Sequence, residues 1–174
     1  MDLMAPDGIE KLAEAVAGRW GKLDILVANA GALGKLMPAH QIPSKTWNEV
    51  LAVNLVAPAR LIRAFEPLLR KSDAGRAVFI TTSEGAKTRA YWAAYGASKA
   101  GLEALVKSWA AELAGGTIRV NLLDPGRMRT AMRTRAVPGE DPQTVPLPET
   151  VTPLIVELTG PAETRHGEVV RAGQ

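Results

Sequence analysis

The sequence predicts an α/β protein built on a parallel sheet, and two observations carry that expectation. Short apolar runs, Leu23 to Ala28 and Ala77 to Ile80, alternate with long segments of helical periodicity. Strands that cross over through helices in this way lie parallel in one sheet. At 174 residues and 47% hydrophobic, the chain has enough apolar material for one domain with a core.

The elements follow in order. After Asp7-Gly8, residues Ile9, Leu12, Ala13, Val16 and Trp20 recur at helical spacing, and Gly21 stops them. Leu23 to Ala28 reads as a buried strand. A long helix is expected from Ser44 or Thr46, with Thr46 and Glu49 at capping-box spacing, through Trp47, Val50, Leu61, Ile62, Phe65 and Leu69. Ser72 to Gly75 ends it, and Ala77 to Ile80 is the next strand. From Ala93 a second long helix places Leu102, Leu105, Val106, Trp109 and Leu113 on one face before Gly115-Gly116, and Ile118 to Leu123 returns as a strand. Beyond Asp124-Pro125-Gly126 the prolines 138, 142, 146 and 148 break the pattern, so 127–148 is expected to be a flap. A helix over 148–158 and a strand near Gly167 to Val170 complete the reading.

The sharpest chemical signal is Tyr95-Gly96-Ala97-Ser98-Lys99, because residues four apart share a helix face one turn apart. A lysine ammonium beside a phenol favours the phenolate and brings a group of pKa near ~10 toward a useful acid/base range. An isolated match of this kind is common and usually describes a surface aromatic next to a solvated lysine. Its neighbours change the reading. Ser83, twelve residues before Tyr95, ends the strand Ala77 to Ile80 at the carboxyl edge where open α/β sheets place their ligands, so it can share a substrate oxygen with Tyr95. Asn29-Ala30-Gly31 follows the first strand, where glycine permits close backbone approach. Asn54 lies mid-helix among apolar residues, an unfavourable place for asparagine. Pro58 cannot donate to the carbonyl four residues back, which belongs to Asn54, so that carbonyl is expected to hold a water feeding protons to Lys99 and Tyr95.

Asn29-Ala30-Gly31, Asn54, Ser83, Tyr95-x-x-x-Lys99 and Pro125-Gly126 followed by Thr130 together resemble the classical short-chain dehydrogenase/reductases, in order and spacing along essentially the whole of 1–174. Lys71 to Gly75, Arg127 to Met132 and Glu140 to Gln143 resemble a bacterial, oxoacyl-reductase-like subgroup. The resemblance implies a doubly wound, Rossmann-type sheet and an NAD- or NADP-dependent oxidoreductase interconverting a carbonyl and a secondary alcohol, with a 3-oxoacyl thioester as the best single substrate. It implies Tyr95 as acid/base, Lys99 as its pKa modifier and ribose contact, Ser83 as substrate-oxygen partner and Asn54 as relay anchor. Asn29 and Gly31 would lie beside the cofactor, Pro125, Gly126 and Thr130 around its nicotinamide, and Asp2 at its adenine. A homodimer or homotetramer is the family expectation. The family's Thr-Gly-x-x-x-Gly-x-Gly turn does not occur in the sequence. Because Asp2-Leu3 matches a position after the third strand, about 60 residues are expected to be missing ahead of it, leaving the last four strands with Leu23 to Ala28 as an edge.

Composition excludes other classes. A formal charge of +3 is too mild and dispersed to argue for nucleic acid, and the four arginines 127, 129, 133 and 135 read as a solvated flap face more readily than as an acidic-substrate site. There is no cysteine, and His40 and His166 have no partner at metal-ligand spacing and read as surface or loop residues, so no metal is expected. The most apolar stretch, Val50 to Phe65, is broken by Asn54, Pro58, Arg60 and Arg63 and fails as a membrane span. With no basic-then-apolar leader at Met1-Asp2, a cytoplasmic location is expected. The rival readings are an inactive remnant or dimerising interaction protein and, within enzymes, a nucleotide-sugar epimerase or dehydratase, which would carry a larger C-terminal substrate domain.

Overall fold

The computed structural model describes residues 2–5, 7–82 and 89–173. Strands β1 (Ile25–Ala28), β2 (Arg76–Ile80), β3 (Arg119–Asp124) and β4 (Val169–Arg171) form one sheet in the order β1-β2-β3-β4, and every pairing is parallel. Helix α1 (Gly8–Trp20) precedes β1. Between β1 and β2 run α2 (Ser44–Leu51), a π-helical turn (Ala52–Val56) and α3 (Ala57–Leu69). Helix α4 (Ala93–Glu112) joins β2 to β3, and α5 (Ala131–Ala136) and α6 (Thr152–Thr159) lie between β3 and β4.

Period-two alternation sorts the strand side chains into two layers. Ala77 and Phe79 of β2, with Val120 and Leu122 of β3, pack on one face against Ile62 and Leu69 of α3 and Leu102, Val106 and Trp109 of α4. Val78 and Leu123 face the other way, against Val151 and Leu158. Helix α1 lays Ile9, Ala13 and Val16 on Leu61, Phe65 and Leu68 of α3. Each large aliphatic or Phe side chain fully buried in these layers contributes about 1.5–3 kcal/mol, so α3 and α4, which have no side-chain N-cap, are fixed to the sheet by packing.

Gly21 ends α1 as read from the sequence, adopting φ +73° and donating its N–H to Ala17 O. The stripe is narrower than expected, however, for Leu12 is 40% and Trp20 64% exposed. The Thr46/Glu49 capping box does not form: α2 already starts at Ser44 after Pro43 and has no side-chain cap, which puts Thr46 inside the helix. The single long helix expected through Pro58 is interrupted. At the π turn Ala57 N–H reaches back to Ala52 O, and Pro58 then falls in the first turn of α3, where its missing donor costs little. Strand β1 begins two residues later than the apolar run and is the sheet edge. Leu26 packs inward, while Ile25 and Val27 are 47% and 40% exposed, on the face that Val78 covers with α6 further along the sheet.

Candidate active site

A cavity of about 460 Å³ opens at the carboxyl ends of β1, β2 and β3. Asn29 and Gly31 line it after β1, Thr81 and Thr82 after β2, and Pro125, Gly126 and Thr130 after β3, while α4 contributes Tyr95 and Lys99. The sequence-read Asn29, Gly31, Tyr95, Lys99, Pro125, Gly126 and Thr130 are therefore brought together around one space.

Tyr95 lies in the first turn of α4 and Lys99 one turn further on. Lys99 is 4% exposed and donates to Ile80 O at 2.7 Å. Burial pushes its amine down from 10.5 to about 8, because the low-polarity surroundings disfavour the charged form. Trp92 stands edge-on to Tyr95, ring centroids 5.8 Å apart, and the Arg89 guanidinium lies 5.3 Å from the Trp92 ring centroid. Just before them, Tyr91 holds φ 74°, a left-handed conformation in which no other described non-glycine residue is found, and its carbonyl accepts from Met37 N. Sequence reading missed this aromatic rim; the Tyr91-Trp92 pair just ahead of Tyr95 was the available signal.

Asn54 is fully buried in the π turn, and its side-chain amide makes the contacts. Oδ1 accepts from Ala32 N at 2.7 Å, while Nδ2 donates to Ala32 O at 2.8 Å and to Ser98 Oγ at 2.9 Å. Ser98 in turn donates to Tyr95 O at 2.7 Å. The sequence singles out Asn54 by its main-chain carbonyl, four residues before Pro58. The structure adds a link of a different kind, in which the amide ties the loop after β1 to the first turns of α4. Gly31 sits in the same corner: a Cβ there would lie 3.6 Å from Asn54 Oδ1 and 3.9 Å from Lys99 Nζ, filling the space in front of the ammonium.

At the end of β3, Asp124 Oδ1 accepts from Gly126 N at 3.0 Å, and Gly126 takes φ 70° to complete the turn. Thr130 caps α5 by accepting from Arg133 N. Arg133 pairs with Glu140 at 2.5 and 2.6 Å and Arg127 reaches the same carboxylate at 3.4 Å, so the guanidiniums hold Glu140 below the usual carboxylate range. Asp2 is exposed, outside the cavity lining, with Oδ1 accepting from Met4 N at 2.9 Å. Ser83 lies outside the described residues. His166 is more engaged than a surface histidine: Nδ1 accepts from Val120 N, which leaves Nε2 to donate to Ala110 O at 2.7 Å and ties β3 to α4. No described helix is long and apolar enough to cross a membrane.

A helix-flanked parallel sheet with a tyrosine and a buried lysine one turn apart at its carboxyl edge defines a Rossmann-type α/β protein with both side chains in its ligand crevice. The model of the short chain dehydrogenase family matches residues 1–141, and the chain belongs to that family. It is 40% identical over 154 residues to the uncharacterized oxidoreductase YciK of Escherichia coli K12, an alignment covering 88% of this chain and 61% of that one. It is 32% identical over 161 residues to the 3-oxoacyl-[acyl-carrier-protein] reductase FabG of Thermotoga maritima, covering 87% and 65%. Among solved structures it matches a putative short chain dehydrogenase from Escherichia coli CFT073 complexed with NADPH, with TM-score 0.94 and 37% identity over 100% of this chain and 73% of that one. The chain thus spans less than two thirds of the length of these curated relatives.

Proposed function

We propose that the chain is the catalytic part of an NADP(H)- or NAD(H)-dependent oxidoreductase that interconverts a carbonyl and a secondary alcohol. The observation that carries this reading is the placement of Tyr95 and Lys99 on one face of α4, opening into the same cavity as Gly31, Pro125, Gly126 and Thr130. The NADPH held by the solved relative favours NADP(H).

The residues present fit the nicotinamide-ribose end of such a cofactor. Gly31 keeps side-chain atoms out of the corner beside Lys99 Nζ, where a Cβ would come within 3.9 Å, and the left-handed Gly126 turn lines the same cavity. When bound, the nicotinamide supplies or accepts the hydride. Lys99 places a positive charge beside the ribose and the phenol, and Tyr95 gives its proton to the carbonyl oxygen in reduction or takes it back in oxidation. Ser83 holds that oxygen by a second hydrogen bond. Asn54 fixes the loop after β1 and α4 in mutual register, with its main-chain carbonyl as anchor for a water that returns the proton to Lys99. Asp2 meets the adenine, and 127–148 closes over the substrate. The chain works as a homo-oligomer, checked by its sedimentation coefficient.

A 3-oxoacyl thioester is the favoured substrate. FabG supports this by its name, and the apolar Leu33, Met132, Val151 and Ile155 of the cavity suit an acyl chain. Fluorescence titration with NADPH and NADH, followed by a spectrophotometric assay on a short 3-oxoacyl thioester, tests the reading. Binding and turnover are expected, with Tyr95→Phe lowering kcat by at least ~100-fold at unchanged cofactor affinity. A folded chain that binds neither nucleotide would instead support the remnant or interaction-protein reading.

A further inference from the structure

Tyr95 and Lys99 belong to a longer stripe on α4, because Glu103 and Lys107 continue it at the same four-residue interval. Glu103 does not line the cavity. Its Oε1 accepts from Thr81 Oγ1 at 2.9 Å, and its Oε2 lies 3.6 Å from Lys107 Nζ, with the Glu103 side chain 19% exposed. Thr81 is 2% exposed, and its N–H donates to Leu123 O at 2.8 Å. The residue before it, Ile80, is the one whose carbonyl receives Lys99 Nζ.

Consecutive residues at the end of β2 are thus held by consecutive turns of one helix face, Ile80 through Lys99 and Thr81 through Glu103. We propose that Glu103 is a positioning residue: through the Thr81 hydroxyl it fixes the end of β2, and with it the Ile80 carbonyl that seats the Lys99 ammonium at the cavity wall. A hydroxyl bonded to a carboxylate is held more strongly than one bonded to a neutral acceptor. Without that acceptor, the buried Thr81 hydroxyl is left with an unmet donor, and the backbone shifts to satisfy it. The Ile80 carbonyl then moves and Lys99 loses its seat. The role in turnover rests on the oxidoreductase reading of the site; the seating of Lys99 does not.

Two readouts test this on the 174-residue chain. One is the rate at which a water-soluble amine-acylating reagent modifies Lys99 at fixed pH, followed by mass spectrometry; the other is kcat and KM. Glu103→Ala and Thr81→Val should each raise the Lys99 labelling rate about tenfold and lower kcat about tenfold at nearly constant KM, with the double variant no worse than either. Glu103→Gln and Thr81→Ser, which keep an acceptor and a donor, should restore most of both. If Glu103→Ala does not fold, Thr81→Val against Thr81→Ser decides the question. Unchanged labelling of Lys99 in the disrupting variants, additive losses in the double, or no rescue by the conservative ones would overturn the proposal. A wild-type chain without turnover would sink the oxidoreductase reading and leave the labelling comparison to decide on Glu103.

Discussion

The two walls of the cavity are held in different ways. The α4 wall is fixed by buried neutral and charged hydrogen bonds: Asn54 to Ala32 and Ser98, Ser98 to Tyr95, Lys99 to Ile80. The 127–148 wall is held by charge pairs nearer the surface, Arg133 and Arg127 on Glu140, with Arg129 bonded to the carbonyls of Val145 and Pro146. Fully buried hydrogen bonds cannot be exchanged for water without leaving groups unsatisfied, whereas charges that keep solvent contact, Arg127 at 63% and the half-buried Arg133 and Glu140 at 17% and 15% side-chain exposure, can be resolvated at lower cost. The wall carrying Tyr95 and Lys99 is therefore the one whose geometry is over-determined, and the 127–148 wall is the one whose sequence and position can change more cheaply.

Removing the Asn54 amide is the severest way to break that contrast. Asn54→Leu keeps the branched skeleton but strands the N–H and carbonyl of Ala32 and one contact of Ser98, all supplied by this one side chain. The expected loss is about 4 kcal/mol, read from the urea midpoint. A loss below about 1 kcal/mol would mean that water replaces the amide and that the α4 wall is no better determined than the 127–148 wall.

Lys99 sharpens the comparison in the reverse direction, because the α4 wall keeps a charge that opposes folding. Its folded amine titrates at about 8 against 10.5 for an ordinary lysine, so between those values the unfolded chain binds more protons than the folded one. The penalty is fully present below pH 8, shrinks as pH rises, and is gone above 10.5. It amounts to about 3 kcal/mol at neutral pH, offset by about 1 kcal/mol for the bond to Ile80. Lys99→Met should then be roughly 2 kcal/mol more stable than wild type at pH 7, with the advantage fading toward pH 10.5. A stability difference independent of pH would show that burial does not depress this amine.

How much of this was legible in the sequence depends on how far each partner lies along the chain. Tyr95 and Lys99 were readable because one helix turn relates them. Asn54 was readable as an anomaly, a polar residue where a helix wants none. Its partners Ala32 and Ser98 lie 22 and 44 positions away, and only the packed fold brings them to it. Pro58 marked the helix interruption correctly, but periodicity has no signature for a π turn, so the break was read as a freed carbonyl within one helix. Leu12 and Trp20 matched the helical stripe of α1, yet α3 is the neighbour it packs on, and Ile9, Ala13 and Val16 already fill that contact. The Tyr91 conformation and the Trp92 rim depend on the backbone path into α4, which no spacing rule encodes.

The smallest expected effect lies on the 127–148 wall and has a different dependence on solvent. Arg133 first, and Arg127 after it, hold the folded Glu140 carboxyl below its ordinary value of 4.5. A depressed carboxylate contributes stability that is present above the ordinary value and lost as pH falls through the lower folded one. Glu140→Gln should therefore lower Tm slightly at pH 7, by less than either α4-wall substitution changes it, with the gap closing in acid below pH 4.5. Salt at about 1 M should narrow it as well, because screening over ~3 Å removes what the exposed Arg127 contributes and weakens, to a smaller extent, the half-buried Arg133 pair. Thermal scans at low and high salt decide this. A large loss that survives both acid and salt would mean that the 127–148 wall is held like the α4 wall, and the division between a fixed chemical wall and an adjustable one would fall.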